Sequence, residues 1–265
     1  MPVSSIQFGQ QPWAYANGLG ISNDATTPDE IINVAAGSTL DTSGLFQIIS
    51  DSTISVDITK NGVNGLDTGT VAASTVYAVY LIADPQKTNP VAALISTGYI
   101  SSLPTLPTGY SIFALVGFLT TDASSDILLG NWIGAGGGGR RFVYATPQAT
   151  AVTAGNDTTY TEVDLSAVVP GFGANNPFGI TPFPIGAYFN AALTPNAAEN
   201  VLNMRTFGNA GDQVAVTGQV STVQTTAQVL LPSFADSGVP KIEYKVTEAT
   251  DAAAITVFGY DYYTS

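Results

Sequence analysis

The chain of 265 residues has no cysteine and no histidine. The first absence excludes disulfides and thiolate nucleophiles, and the second removes the commonest general base. Together they take away the usual zinc ligands, and no other cofactor signature stands in the sequence. Charge is scarce as well: 10% of the residues are charged, where about a quarter is ordinary. Seven basic residues against twenty acidic ones give a net charge of −13, and the bases form no run longer than Arg140-Arg141. A polyanion requires many phosphate neutralisations, so this balance argues against a nucleic-acid partner. The acidic excess reads as a solubility device. No apolar run approaches the ~20 residues of a membrane helix, and insertion into a membrane is not expected. The opening Met1-Pro2-Val3-Ser4-Ser5 lacks the basic and apolar regions of a signal peptide, so synthesis and folding are expected in a cytosol.

What the chain does have is apolar content, 45%, carried largely by β-branched and aromatic residues among Gly, Pro, Asn, Ser and Thr. That is too much for disorder. With so little charge to wet a surface, it fits an obligate oligomer that buries part of its exterior in subunit contacts. Two stretches alternate one by one, Ile54-Ser55-Val56-Asp57-Ile58 and Ile242-Glu243-Tyr244-Lys245-Val246. Strand side chains point to opposite faces with a period of two, so each stretch buries one face and wets the other. Residues 76–82 are apolar almost throughout and read as a strand covered on both faces. Asn61-Gly62 provides the positive-φ pair of a hairpin turn after the first alternating stretch. Thr27-Pro28-Asp29-Glu30 has the look of a helix start, but Ile31-Ile32-Asn33-Val34 behind it is short and β-branched, which favours a strand.

Further strands are expected over 92–95, 110–119, 158–165, 185–193, 213–220, 228–231, 242–247 and 254–260. Turn signals recur between them at a spacing typical of sandwiches. Residues 170–184 form a long Gly-, Pro- and Asn-rich loop, with Phe172, Phe178 and Phe183 in need of shelter. No repeat of fixed period favours a β-helix or propeller. The run Gly134-Ala135-Gly136-Gly137-Gly138-Gly139 reads as a linker. The expected fold is therefore all-β: two antiparallel β-sandwich or barrel-like domains, residues 1–133 and 142–265, joined by a Gly-rich linker at 134–141.

Candidate sites reduce mostly to structure. Gly134, Gly136 and Gly139 have dinucleotide-fingerprint spacing, but no helix follows to hold a pyrophosphate. Glu162 and Asp164 share a strand face as glycosidase carboxylates could, yet Val163 and Leu165 make that strand amphipathic with its acids in water. A Ser or Thr nucleophile would need a lysine base, and no lysine stands in such a motif. No Asp-x-Asp-x-Asp-Gly pattern marks a calcium loop. The sequon Asn156-Asp157-Thr158 has no secretory context. No enzymatic activity is expected. Alternation would put Phe258, Tyr260 and Tyr262 on one side, either as core or subunit contact or as a tyrosine platform for a glycan or protein partner.

Several phrases together resemble a module of tailed-bacteriophage and prophage virion proteins. They are Asn64-Gly65-Leu66-Asp67-Thr68-Gly69, the stretch 72–82, Leu106-Pro107-Thr108-Gly109-Tyr110 and Gly117, with Asn17-Gly18-Leu19, Ser22-Asn23-Asp24 and Ala35-Ala36-Gly37 upstream. Asp164-Leu165-Ser166, 242–246 and Gly259-Tyr260 resemble a companion β-domain. The resemblance implies a virion structural protein, made in the host cytoplasm, that assembles as a homotrimer and contacts other capsid or tail proteins. Because the module starts within the first twenty residues, a short fibre, knob or head-decoration protein is expected over a long tail fibre. Attachment residues are expected at Phe8, Trp13 and Tyr15. The rival readings are a tail adhesin that binds a host-surface glycan, and a capsule depolymerase, which would want a parallel β-helix and paired acids.

Overall fold

The computed structural model describes residues 16–98, 102–136, 139–169, 185–211, 213–236 and 239–262. Regular structure there is β throughout. The first half carries β1 (Asn17–Gly18), β2 (Ile21–Asn23), β3 (Ile31–Val34), β4 (Gly37–Leu40), β5 (Gln47–Ser50), β6 (Ile54–Asn61), β7 (Gly65–Leu66), β8 (Val76–Ala83), β9 (Ala92–Ser96) and β10 (Ile112–Thr120). The second carries β11 (Gly130–Gly136), β12 (Gly139–Gly155), β13 (Thr161–Asp164), β14 (Ile185–Thr194), β15 (Val201–Thr206) and β16 (Val214–Thr217). It closes with β17 (Thr225–Asp236), β18 (Val239–Val246) and β19 (Ala252–Tyr262). No described helix is long and apolar enough to cross a membrane.

A small sheet has the order β1-β4-β5. The rest forms one continuous path, β10-β8-β9-β7-β6-β3-β2-β11-β12-β19-β14-β17-β18-β15-β16, with β13 added on β18. β17 pairs with β14 from Thr225 to Ser233 and with β18 from Phe234 to Asp236. One strand thus passes between the two layers of the second half, the way sandwiches turn a corner.

The burial pattern follows the residues. β8 is buried at all eight positions, as its continuous apolarity requires. Tyr77, Val79 and Leu81 face one apolar cluster with Ile32, Val56 and Ile58. Val76, Tyr80 and Ile82 face another that also contains Phe142, Tyr144, Phe189, Met204, Ile242 and Val257. The second cluster crosses the expected domain boundary. Tyr144 links the halves by hydrogen bonds as well: its hydroxyl donates to the Val168 carbonyl at 2.5 Å and lies 3.3 Å from the Thr120 hydroxyl. Burial pushes the Tyr144 phenol well above its ordinary pKa.

Two expectations need correction. The glycine run expected as a linker enters a β-hairpin: Gly134 pairs with Arg140 and Gly136 with Gly139 in the β11–β12 ladder. Pairing supplies the backbone order that missing side chains cannot. The second correction is the hairpin expected at Asn61-Gly62. Gly62 does take φ 93° and its N–H donates to Leu66 O at 2.8 Å. The chain then makes a full loop, so β7 runs parallel to β6. Gly65 permits this, since a Cβ there would stand 2.3 Å from the Lys60 carbonyl oxygen. The loop 170–184 lies outside the described residues.

Candidate functional site

The residues expected to attach the protein, Phe8, Trp13 and Tyr15, lie outside the described residues. Of the C-terminal aromatics, Phe258 and Tyr260 do not share a side. β14 pairs Phe189 with Val257 but Tyr188 with Gly259, so β19 carries a bulge at Phe258. One extra residue slips the two-residue period, and the side chains after it change face. Tyr260 turns into the core, fully buried, with its ring 5.4 Å from Phe142 and 6.3 Å from Tyr144. Phe258 turns outward and meets Tyr188 at 5.5 Å. The backbone of Tyr262 pairs with Ile185.

The outward side of β12, β19 and β14 holds a polar triad. Asp261 is fully buried and receives Arg141 through Nε at 2.7 Å and Nη2 at 2.9 Å. Tyr188 donates to Asp261 Oδ2 at 2.6 Å, accepts from Arg141 Nη2, and carries the guanidinium 4.4 Å above its ring. A fork-on-fork Arg–carboxylate pair of this kind fixes geometry strongly. Each of the three strands gives one member, so the triad ties the sheet across its width.

A second surface lies on β13, β18 and β15. The strand period puts Lys241, Glu243 and Lys245 outward on β18. Arg205 Nε pairs with Glu243 at 2.8 Å, and Lys241 with Glu162 at 2.8 Å. The Tyr160 ring is met by Arg205 at 3.5 Å and Lys245 at 4.5 Å, and the Phe207 ring by Lys241 at 5.0 Å. Three of the seven bases are therefore gathered on one face. Glu162 and Asp164 stand exposed there. The alternation in 241–245 contained the signal for half of this cluster. Arg205 was hidden in Val-Leu-Asn-Met-Arg-Thr, whose buried residues Leu202, Met204 and Thr206 alternate with polar ones too briefly to stand out.

A third surface was not legible at all. A cavity of about 580 Å³ opens between β5 and the 84–91 loop, lined by Phe46, Ile49, Ile54, Asp84, Lys87 and Ile112 among others. Around its β5 rim Leu45, Phe46 and Ile49 are 79%, 44% and 50% exposed. The opposite rim is closely hydrogen-bonded. Asp84 accepts the Thr88 hydroxyl and the N–H groups of Gln86, Thr88 and Asn89 at 2.9, 3.0 and 3.3 Å. Those bonds, the Thr88 hydroxyl foremost, hold its carboxyl below the usual range.

Asp84 belongs to a general pattern. Asp24 accepts N–H bonds from Thr26 and Thr27, Asp41 from Leu45 and Phe46, and Asp57 from Thr59. Asp122 accepts from Ser124 and Asp126, Asp164 from Ser166, and Asp251 from Asn196 and Glu248. The Thr26 N–H, helped by Asn33 and Thr27, lowers Asp24 to about 2. A carboxylate that caps a turn satisfies donors the bend would leave open. Part of the acidic excess, read from composition as a solubility device, also serves turn chemistry. Among the described residues no group of three or more Asp or Glu converges as a metal site would need.

No family model matches the chain, and no curated protein matches it. Among solved structures, a carbohydrate-binding module from Cellvibrio mixtus lichenase 5A in complex with cellotriose aligns with 49% of this chain and 86% of its own, at 12% identity and a TM-score of 0.23. An isomalto-dextranase of Arthrobacter globiformis T6 complexed with panose aligns with 92% of this chain but 34% of its own, at 12% identity and a TM-score of 0.22. The infectious bursal disease virus Gx strain structure covers 94% of this chain and 72% of its own, at 11% identity and a TM-score of 0.20. Likenesses this weak carry no argument about function.

Proposed function

We propose that the chain is a non-enzymatic structural component of a tailed-phage particle, a short fibre, knob or capsid-decoration protein that works as a homotrimer. The observation that carries this reading is where the ionisable groups go. Seven aspartates cap turns, and Arg141, Arg205, Lys241 and Lys60 pair with acids across or along strands. Side chains that elsewhere would do chemistry here hold loops and layers in place. The phrases that resemble the virion module support the same reading, because they are structural in this fold. Asn64 exchanges bonds with the Ala93 backbone, and Asp67 bonds the Ser96 hydroxyl at 2.6 Å and the Thr105 N–H at 3.0 Å. Val220 and Val223, each 55% exposed in one turn, suit burial against a second subunit or another capsid or tail protein.

The glycan-binding reading is weaker. Tyr260 is spent in the core, and the Tyr160 ring already carries two cations. Light scattering at micromolar concentration should give three chain masses; a stable monomer would overturn the trimer. Gold-labelled antibody on intact virions should decorate a fixed head or tail position. Unlabelled particles, or turnover of a host polysaccharide by the purified chain, would overturn the structural role.

A further inference from the structure

We infer that the loop 41–46 and the cavity beside β5 are the two halves of the subunit contact, with Leu45 of one copy entering the cavity of the next, head to tail around a ring. The inference rests on the trimer reading above and names its interface. Leu45, at 79% exposure, is the most exposed large apolar side chain among the described residues. The loop is built to present it. Asp41 is buried, and its carboxylate accepts the Leu45 N–H at 3.0 Å, the Phe46 N–H at 2.9 Å and the Ser43 hydroxyl at 2.7 Å. The Asp41 N–H donates to Phe46 O at 2.8 Å, and Gly44 takes the φ of 71° that the bend requires. A knob held this way loses little freedom when it docks. With Phe46 and Ile49 it shows on the order of 300 Å² of apolar surface, the size at which a patch on one chain is often functional.

The cavity asks for such a guest. Ile48, Ile54, Val91 and Ile112 give it apolar walls. Asp84 in the wall already receives the N–H groups of Gln86, Thr88 and Asn89 and the Thr88 hydroxyl, so it requires no cation from the occupant. Charge then selects a second copy. Each chain carries −13, so two copies meet at least cost where the entering surface brings no ion, and residues 42–50 contain no charged side chain. Phe46 lines the cavity and Leu45 does not, so knob and hole adjoin without filling one another. A contact between two different patches of the same chain repeats head to tail and closes when the rotation allows. Patches that adjoin turn each added copy sharply, and few copies complete the ring.

Sedimentation equilibrium of the full chain, Leu45→Asp and Ser52→Trp tests this. The first variant spoils the knob, and the second blocks the cavity from an exposed position in its wall. Each should raise the concentration at which the trimer dissociates by roughly a hundredfold or more. Both should keep the parent's circular dichroism, which separates lost assembly from misfolding. Mixed in equal amounts, one variant supplies the hole and the other the knob, so a pair of two chain masses should form where neither associates alone. A parent trimer that survives Leu45→Asp or Ser52→Trp would overturn this inference and leave the trimer reading standing, as would absence of the mixed pair. A parent chain that stays monomeric would overturn both.

Discussion

β8 and β18 are both eight residues long, yet they are opposite kinds of strand. β8 is buried at each position, with one apolar cluster on either face. β18 alternates from Pro240 onward: Ile242, Tyr244 and Val246 go in, while Lys241, Glu243 and Lys245 go out to an ionic and aromatic face. The first is the middle layer of a stack and the second is the skin of a sandwich. The lesson is that charge in this molecule marks where layering stops.

The contrast can be broken by truncation. Leu81→Ala in β8 should cost about 2–5 kcal/mol of stability by urea unfolding, since both transfer and cavity terms apply in a site packed from all sides. A loss below about 1 kcal/mol, the size of an ordinary surface change, would mean the double layer is not packed. Tyr144→Phe should cost about 1–3 kcal/mol, because the Val168 carbonyl loses its donor in a buried site. That variant also asks whether the two halves unfold as one: a split transition would show that this hydroxyl holds them together. On the skin, Arg205→Ala should cost about 1–2 kcal/mol by the same measurement, through the lost Glu243 bond and the lost cover of Tyr160.

The smallest expected effect depends on pH. Asp24 is lowered to about 2, so its contribution is complete above its unfolded pKa near 4 and is lost as pH falls toward 2. Asp24→Asn should therefore lower the urea midpoint slightly at pH 7, leave it nearly unchanged near pH 2, and so flatten the stability curve between about pH 4 and 2. An unchanged acid limb in the urea midpoint would show that the carboxylate is not held in this turn.

The sequence made some of this readable and concealed the rest for physical reasons. Continuous apolarity identified β8, and strict alternation identified β6 and β18, because burial acts directly on those patterns. β12 was missed entirely. Its register shifts between Val143 and Gln148, between Gln148 and Val152, and between Val152 and Gly155, so no single period runs its length. The bulge at Phe258 defeated the reading of the C-terminal aromatics in the same way: the alternation is correct on each side and slips between. The aspartate caps were present as Asp followed by small polar residues, but composition alone reports a charge and not the donor it faces. The β5 cavity left no mark, since an edge becomes an edge only through the order in which distant strands pair.

A consequence of β17 concerns load. Its N-terminal part is stitched to β14 and its last three residues to β18, so neither layer of the second half can slide over the other without tearing a ladder. A force that pulled or sheared the second half along its strands would spread into both layers through a single shared seam. Resistance to shear would then come from how the chain is routed and would persist even where the packing between the layers loosened.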